Sequence, residues 1–409
     1  MCYQTPIRDA GNQANDDYDM EAMKRALAEE NYQFTIGGGE PLMTPIDDLE
    51  ELWRWGHERY GQNAVQTSAT TVTERHFELF QRYNVSVGIS LEGPGELNDI
   101  RWAGSLKRTR EASRSAEAVL HRLLEERHSV SLITTLNRAN AAPDRLPRLL
   151  NWYRDLDSRG LRHVNLHLME IETEQIRDEW ALSEEENAGA LLACAELQAE
   201  LEHLRFQPIT DMVQLLLGDD RETSCIWNAC DPMTTRAVHG VNGQGDRINC
   251  SRTNKAGVDV QKADQELLVR PLALYHTPQE HGGCQNCRFW FACKGSCPGE
   301  SIHGDSRLKT EHCGTLQRVF GELETRLASL GFRPVSLDEN RRKMVEARLL
   351  EAFAQGVPLR VHAALNGGAP AAAAKHGDTQ HGDRDHQDHG DSEKPVLTHG
   401  DHTDQTLVP

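Results

Sequence analysis

Eight of the ten cysteines in this 409-residue chain fall in one stretch: Cys225, Cys230, Cys250, Cys284, Cys287, Cys293, Cys297 and Cys313. A chain this long is not a small disulfide scaffold. Clustered cysteines in a reducing compartment more often bind metal or do redox chemistry. The densest part reads CQNCRFWFACKGSCPG, with two, five and three residues between successive cysteines, and Cys313 follows after fifteen more. Upstream, Cys230 precedes Gly245, and four residues separate Gly245 from Cys250. Eight thiolates complete two four-sulfur sites. Iron–sulfur clusters take four cysteines each, and so does structural zinc, so the count leaves the metal open. A zinc ribbon more often repeats one paired motif, and the uneven spacing here favours iron–sulfur. Cys194, in the apolar run GALLACAEL, reads as a core residue. Cys2 stands alone at the start, in MCYQ.

A second candidate is the turn GGGEP at residues 37–41, directly after the apolar stretch YQFTI. Glycines after a strand let backbone approach a ligand closely. Ser90 opens SLEGP at the end of another strand pattern, and Asn137 closes VSLITTLN. The ordinary alternatives are a strand-end hydroxyl for Ser90 and a helix cap for Asn137.

The elements that must position these residues alternate. MEAMKRALAEE reads as a helix and YQFTI as a strand. TPIDDLEELWRWGHERYG reads as a helix capped by Thr44 with Pro45 in its first turn. NAVQT, VSVGISLEG, VSLITTLN and HVNLHLMEI follow as strands. Helices lie between them, and a long helix SEEENAGALLACAELQAELEHL closes the series. Strict alternation predicts a parallel sheet wrapped by helices, with chemistry at the C-terminal strand ends. The series of five strands begins on a helix, so the first strand of the pattern is expected upstream of residue 1. The fold class is therefore α/β, a partial (β/α)6 TIM-like barrel lacking its first strand. The expected divisions are the barrel at 1–205, a bridge at 206–229, a loop-rich cysteine domain at 230–320, a helical extension at 321–365 and a disordered His/Asp/Gly-rich tail at 366–409.

The cysteine spacing resembles that of radical S-adenosylmethionine (AdoMet) enzymes with a C-terminal SPASM domain. Their signature is a cysteine, Gly-x4-Cys, then Cys-x2-Cys-x5-Cys-x3-Cys and a last cysteine, and every interval recurs here. The resemblance implies two auxiliary [4Fe-4S] clusters. One would be held by Cys225, Cys230, Cys250 and Cys297, the other by Cys284, Cys287, Cys293 and Cys313. It also implies that Gly38, Gly39, Glu40 and Pro41 grip the amino group of AdoMet and that Ser90 lies near the cofactor, although Glu92 stands where the family usually has aspartate. Cys2 would be the third ligand of the radical cluster's Cys-x3-Cys-x2-Cys motif, often embedded as Met-Cys-Tyr. Two ligands would then lie upstream of Met1. The expectation is that the chain beginning at Met1 cleaves AdoMet poorly and that a longer one cleaves it.

Similar proteins generate a 5′-deoxyadenosyl radical and modify a peptide or protein side chain. The resemblance thus implies an oxidoreductase that matures a ribosomally made peptide by crosslinking or oxidation, fed by an electron donor such as flavodoxin or ferredoxin. An alternative is anaerobic sulfatase maturation, forming formylglycine. Similar maturases place an acid directly after the third auxiliary cysteine, and Ser251 follows Cys250 here; Asp231, after Cys230, is a weak substitute. A further alternative is a non-catalytic iron–sulfur protein that has lost its radical cluster. The formal net charge of −19 argues against nucleic acid as a partner. No apolar run long enough to cross a membrane and no signal peptide occur in the sequence, so the expected location is cytoplasmic, with no membrane partner. The tail repeats HGD at His376, His381, His389 and His399. A solvated tail, a metal buffer and a fused substrate-like segment all fit this pattern.

Overall fold

The computed structural model describes residues 18–234, 238–250, 252–253, 263 and 267–367. Cys2, Ser251 and the tail from residue 368 lie outside these. The N-terminal half alternates α1 (Met20–Glu30), β1 (Thr35–Ile36), α2 (Ile46–Tyr60), β2 (Asn63–Thr67), α3 (Glu74–Arg82) and β3 (Val85–Ser90). It continues through α4 (Leu106–Glu125), β4 (Val130–Leu136), α5 (Leu146–Ser158), β5 (His163–Leu168), α6 (Glu184–Gln198) and β6 (Arg205–Gln207). The six strands are parallel and neighbour one another in chain order, and β1 and β6 are not paired. This is an open, partial barrel.

Strand alternation sorts the side chains into two layers. Val65, Val87, Ile89, Leu132, Leu136, Val164 and Leu166 are buried, with Trp53, Phe80, Leu120 and Tyr153 of the helices in the same core. The opposite register carries Gln66, Ser90, Ile133, Thr135, Asn165 and His167, all half-buried. The barrel lumen is thus lined largely by polar side chains.

The sheet has six described strands where the sequence pattern predicts five. The long helix stops at Gln198 instead of running to Leu204. Asp157 accepts the backbone N–H groups of Glu202, His203 and Leu204, at 3.2, 2.8 and 2.7 Å. That carboxylate turns the chain back into β6, which pairs beside β5. A three-residue strand before a proline carries too little periodicity to be read from sequence. The expected bridge at 206–229 holds the end of β6, α7 (Ile209–Leu217) and the turn bearing Cys225. Thr44 does not cap α2, whose N-cap is Pro45. Thr44 instead closes a separate turn, Pro41–Met43, which the Glu40 side chain starts by accepting from Leu42 N–H.

The cysteine-rich half opens with a hairpin, β7 (Gly240–Val241) and β8 (Arg247–Ile248). The hairpin docks on α1. Asp19 N–H donates to Gly243 O at 2.8 Å, and Glu30 pairs with His239 and Arg247 at 2.5 and 2.6 Å. Then come α8 (Val269–His276), the cysteine loop, α9 (Cys313–Ser329) and α10 (Glu339–Ala354). Ion pairs Arg326–Glu196 and Arg318–Glu185 tie α9 to α6 of the barrel.

Candidate functional site

The site has three parts. The first is a cavity walled by Cys284, Cys287, Cys293 and Cys313, with aromatic sides formed by Phe289, Trp290 and Phe320. Local geometry brings these four sulfurs around one space. Cys284 N–H donates to Leu274 O at 2.7 Å, so the end of α8 fixes the first thiol. Gly283 packs against Thr277, where an added Cβ would lie 2.0 Å from the carbonyl oxygen. After Cys293 three successive residues, Lys294, Gly295 and Ser296, take positive φ of 48, 85 and 58°. That run of left-handed residues reverses the chain and delivers Cys297 to a different place. Cys313 arrives on the first turn of α9.

Burial pushes the Cys284 and Cys297 thiols up to about 12, and it drives Cys293 well above the ordinary thiol value. Opposing this, backbone N–H groups of Phe289, Gly295 and Gly299 donate to the sulfurs of Cys287, Cys293 and Cys297. Such donors favour thiolate. Burial thus disfavours the anionic form of these thiols, while the backbone donors beside them favour it. A metal must displace protons to bind. Among the described residues, no three His, Cys, Asp or Glu side chains are placed to hold a single metal ion. The four thiols surround a cavity rather than converging on a point, which fits a multinuclear cluster better than one zinc.

The second part gathers the remaining cysteines. Cys250 lies within electrostatic reach of both Cys225 and Cys297. The Cys225 turn is held by Asp211 of α7, a buried carboxylate that accepts from Ser224 N–H, Ser224 Oγ and Trp227 Nε1 at 3.0, 2.5 and 3.0 Å. Cys230 and Cys297 both lie near Arg270. Arg270 is buried among carbonyls, donating to Cys230 O, Ser296 O, Gly295 O, Ser306 O and Leu308 O. It also senses Cys284 and Cys293, so this one cation stands between the two cysteine sets.

Arg252, two residues after Cys250, pairs with Glu170 beyond β5 at 2.8 Å and with Glu300 beyond Cys297. It thereby clamps the barrel mouth to the cysteine domain. His167 on the lumen side of β5 feels this cation. Burial, and secondarily Arg252, drop its imidazole to about 3, so it is neutral at physiological pH. Replacing Arg252 with leucine leaves two carboxylates in a half-dry cleft without their shared cation. We expect a loss of about 3–5 kcal/mol of stability, read as a lower urea midpoint. An unchanged midpoint would show that the clamp is energetically idle.

The third part is the GGGEP turn. Gly38 takes φ +102°, and among the described residues no heavy atom lies within 4 Å of where a Cβ on Gly37 or Gly38 would sit. Glu40 bridges β1 to the end of β2. Its Oε1 accepts from Thr67 Oγ1 at 2.5 Å and Leu42 N–H at 3.3 Å, and its Oε2 accepts from Ser68 N–H at 2.9 Å and from Ser68 Oγ. Pro41, next in the chain, is buried. Gly39 lies in the same turn, between Gly38 and Glu40. Ser90 ends β3 and accepts from Gln66 Nε2 of the neighbouring strand β2 at 2.9 Å. Gly88 leaves room for Gln66, since a Cβ there would fall 2.1 Å from the amide oxygen.

Glu92 is fully buried, bound to Arg101 at 2.8 Å and to Thr135 N–H at 2.5 Å. It ties β3 to β4. Asn137 caps the short helix Arg138–Ala141. The sequence reading singled out neither Gln66 nor His167, Arg252 and Arg270. Gln66 shows only as a polar residue at a lumen position of NAVQT, and the other three have no local signal.

No family model matches the chain. It is 36% identical over 84 residues to a cysteine-type anaerobic sulfatase-maturating enzyme of Clostridium novyi, covering 19% of this chain and 22% of that enzyme. It is 36% identical over 70 residues to a serine-type anaerobic sulfatase-maturating enzyme of Bacteroides thetaiotaomicron, covering 16% of this chain and 17% of that one. An uncharacterized protein of Methanothermobacter thermautotrophicus matches at 28% over 196 residues, 45% of this chain and 70% of its own length. The chain thus spans about a fifth of each curated maturase it matches. Among solved structures, native anSMEcpe with bound AdoMet and Cp18Cys peptide superposes with a TM-score of 0.57 at 16% identity, covering 77% of this chain and 90% of that one. This chain has the fold of that AdoMet-bound protein, and two of its curated relatives are anaerobic sulfatase-maturating enzymes. No described helix is long and apolar enough to cross a membrane.

Proposed function

We propose that this protein is a radical AdoMet enzyme that modifies a side chain of a peptide. The observation that carries the reading is the four-thiol cavity, formed by cysteines whose spacing matches the auxiliary-cluster signature. Cys284, Cys287, Cys293 and Cys313 would hold one [4Fe-4S] cluster, and Cys225, Cys230, Cys250 and Cys297 a second. AdoMet, cleaved reductively at a third cluster with Cys2 as one ligand, would supply the radical that takes a hydrogen atom from the substrate. The chain's own residues do the rest. The GGGEP turn receives the methionine end of AdoMet, with Glu40 beside it already fixed by four donors. Gln66 and Ser90 hold one another on the lumen wall below. The Arg252 clamp joins the lumen to the second cysteine set and helps to shut water out of the space between them.

The fold shared with a peptide-bound, AdoMet-bound maturase supports a peptide substrate. Formylglycine formation in a sulfatase is the second reading, supported by the matches to both types of sulfatase maturase. Ser251, in place of an acid after Cys250, weighs against it. The test is release of 5′-deoxyadenosine from AdoMet by the anaerobically reconstituted, reduced protein. Release is the expected result. Iron-loaded protein that releases none would refute the enzyme reading.

A further inference from the structure

Gln317 lies one helical turn beyond Cys313 on α9, and its side chain returns to the four-thiol cavity. Its Nε2 stands 3.5 Å from Cys313 Sγ and 3.7 Å from Cys287 Sγ, so the N–H not directed at Gln279 is within reach of either sulfur. The amide is oriented from behind, since the same nitrogen lies 3.4 Å from Gln279 Oε1. Gln279 also anchors a cation. Its carbonyl accepts from Lys309 Nζ at 3.0 Å, and Lys309 is part of the same cavity wall. The Lys309 ammonium hydrogen-bonds Cys313 and acts on Cys284 and Cys287 electrostatically. One residue, Gln279, therefore aims an amide and an ammonium at three of the four thiols.

Thiolate-bound clusters gain negative charge on reduction. Donors to their sulfurs and nearby cations stabilise the reduced state and raise the potential. We propose that Gln317 and Lys309 set the reduction potential of the cluster held by Cys284, Cys287, Cys293 and Cys313, acting as tuning residues rather than ligands. The proposal rests on the cluster reading above. Gln317→Leu removes the amide at similar volume, and Lys309→Met removes the charge while keeping the stem.

The full-length reconstituted protein is titrated electrochemically and followed by EPR, with the relevant signal identified as the one lost in Cys287→Ala. Each single substitution is expected to lower that signal's midpoint. In the double variant the reduced-to-oxidised ratio at the wild-type midpoint is expected to fall about tenfold, which is about 59 mV for one electron. The other cluster's midpoint should stay put. Iron-loaded variants whose midpoints are unchanged, or whose clusters all shift together, would overturn the tuning role alone. A wild-type protein that binds no iron would overturn the cluster reading and this proposal with it. If Gln317→Leu alone fails to load iron, the Lys309→Met midpoint decides the matter.

Discussion

Replacing Glu40 with glutamine is expected to weaken AdoMet binding by about ten- to a hundredfold and to cost about 1–3 kcal/mol of stability. The substitution is nearly isosteric, so shape is not the issue. Glu40 accepts two backbone N–H groups, Leu42 on one oxygen and Ser68 on the other, besides two hydroxyls. An amide keeps only one oxygen. The hydroxyls of Thr67 and Ser68 can rotate to accept from the new NH2, but a backbone N–H cannot. One orphaned donor is unavoidable, and the turn proposed to meet AdoMet shifts with it. Calorimetric AdoMet titration and urea denaturation of the same variant read both consequences. A variant that binds AdoMet like the parent would remove Glu40 from the cofactor site.

The second large effect concerns the partition of the cysteines. Cys287→Ala is expected to remove one cluster and leave the other, taking bound iron from about eight to about four in the two cysteine sets. Cys250→Ala should do the same for the other set. Together they should leave neither. The expected independence rests on the proposed partition. Cys284, Cys287, Cys293 and Cys313 wall one cavity, whereas Cys297 is carried away by the left-handed run after Cys293 to meet Cys250. Iron and acid-labile sulfide measurements on the single variants report the outcome. Loss of all iron from either single variant would contradict two separate sites.

Much of this was readable in the sequence, for identifiable reasons. Helix α1 appears at the residues its amphipathic run marks, Met20–Glu30, because Asp19 caps it and Asn31 ends it in a left-handed turn. Strands β2 to β5 are readable because each alternates or is continuously apolar over five or more residues. Cysteine spacing is a local signal that carries the family resemblance, and the resemblance grouped the four residues that line the cavity. What was not readable depends on contacts far apart in the chain. The turn into β6 needs Asp157, some 45 residues upstream. The Arg252 clamp needs Glu170, 82 residues away. Arg270 is recognisable as a buried cation only once five loop carbonyls close around it. Glu92 looked like a departure from a cofactor motif, and the fold instead uses it as a buried tie between two strands.

The cysteine-rich half is proposed to hold iron–sulfur clusters. The most direct test is metal analysis with Mössbauer spectroscopy on anaerobically purified full-length protein. The account predicts about eight irons in the eight-cysteine region, with matching sulfide and the spectrum of [4Fe-4S] centres. Stoichiometric zinc with no iron would contradict it.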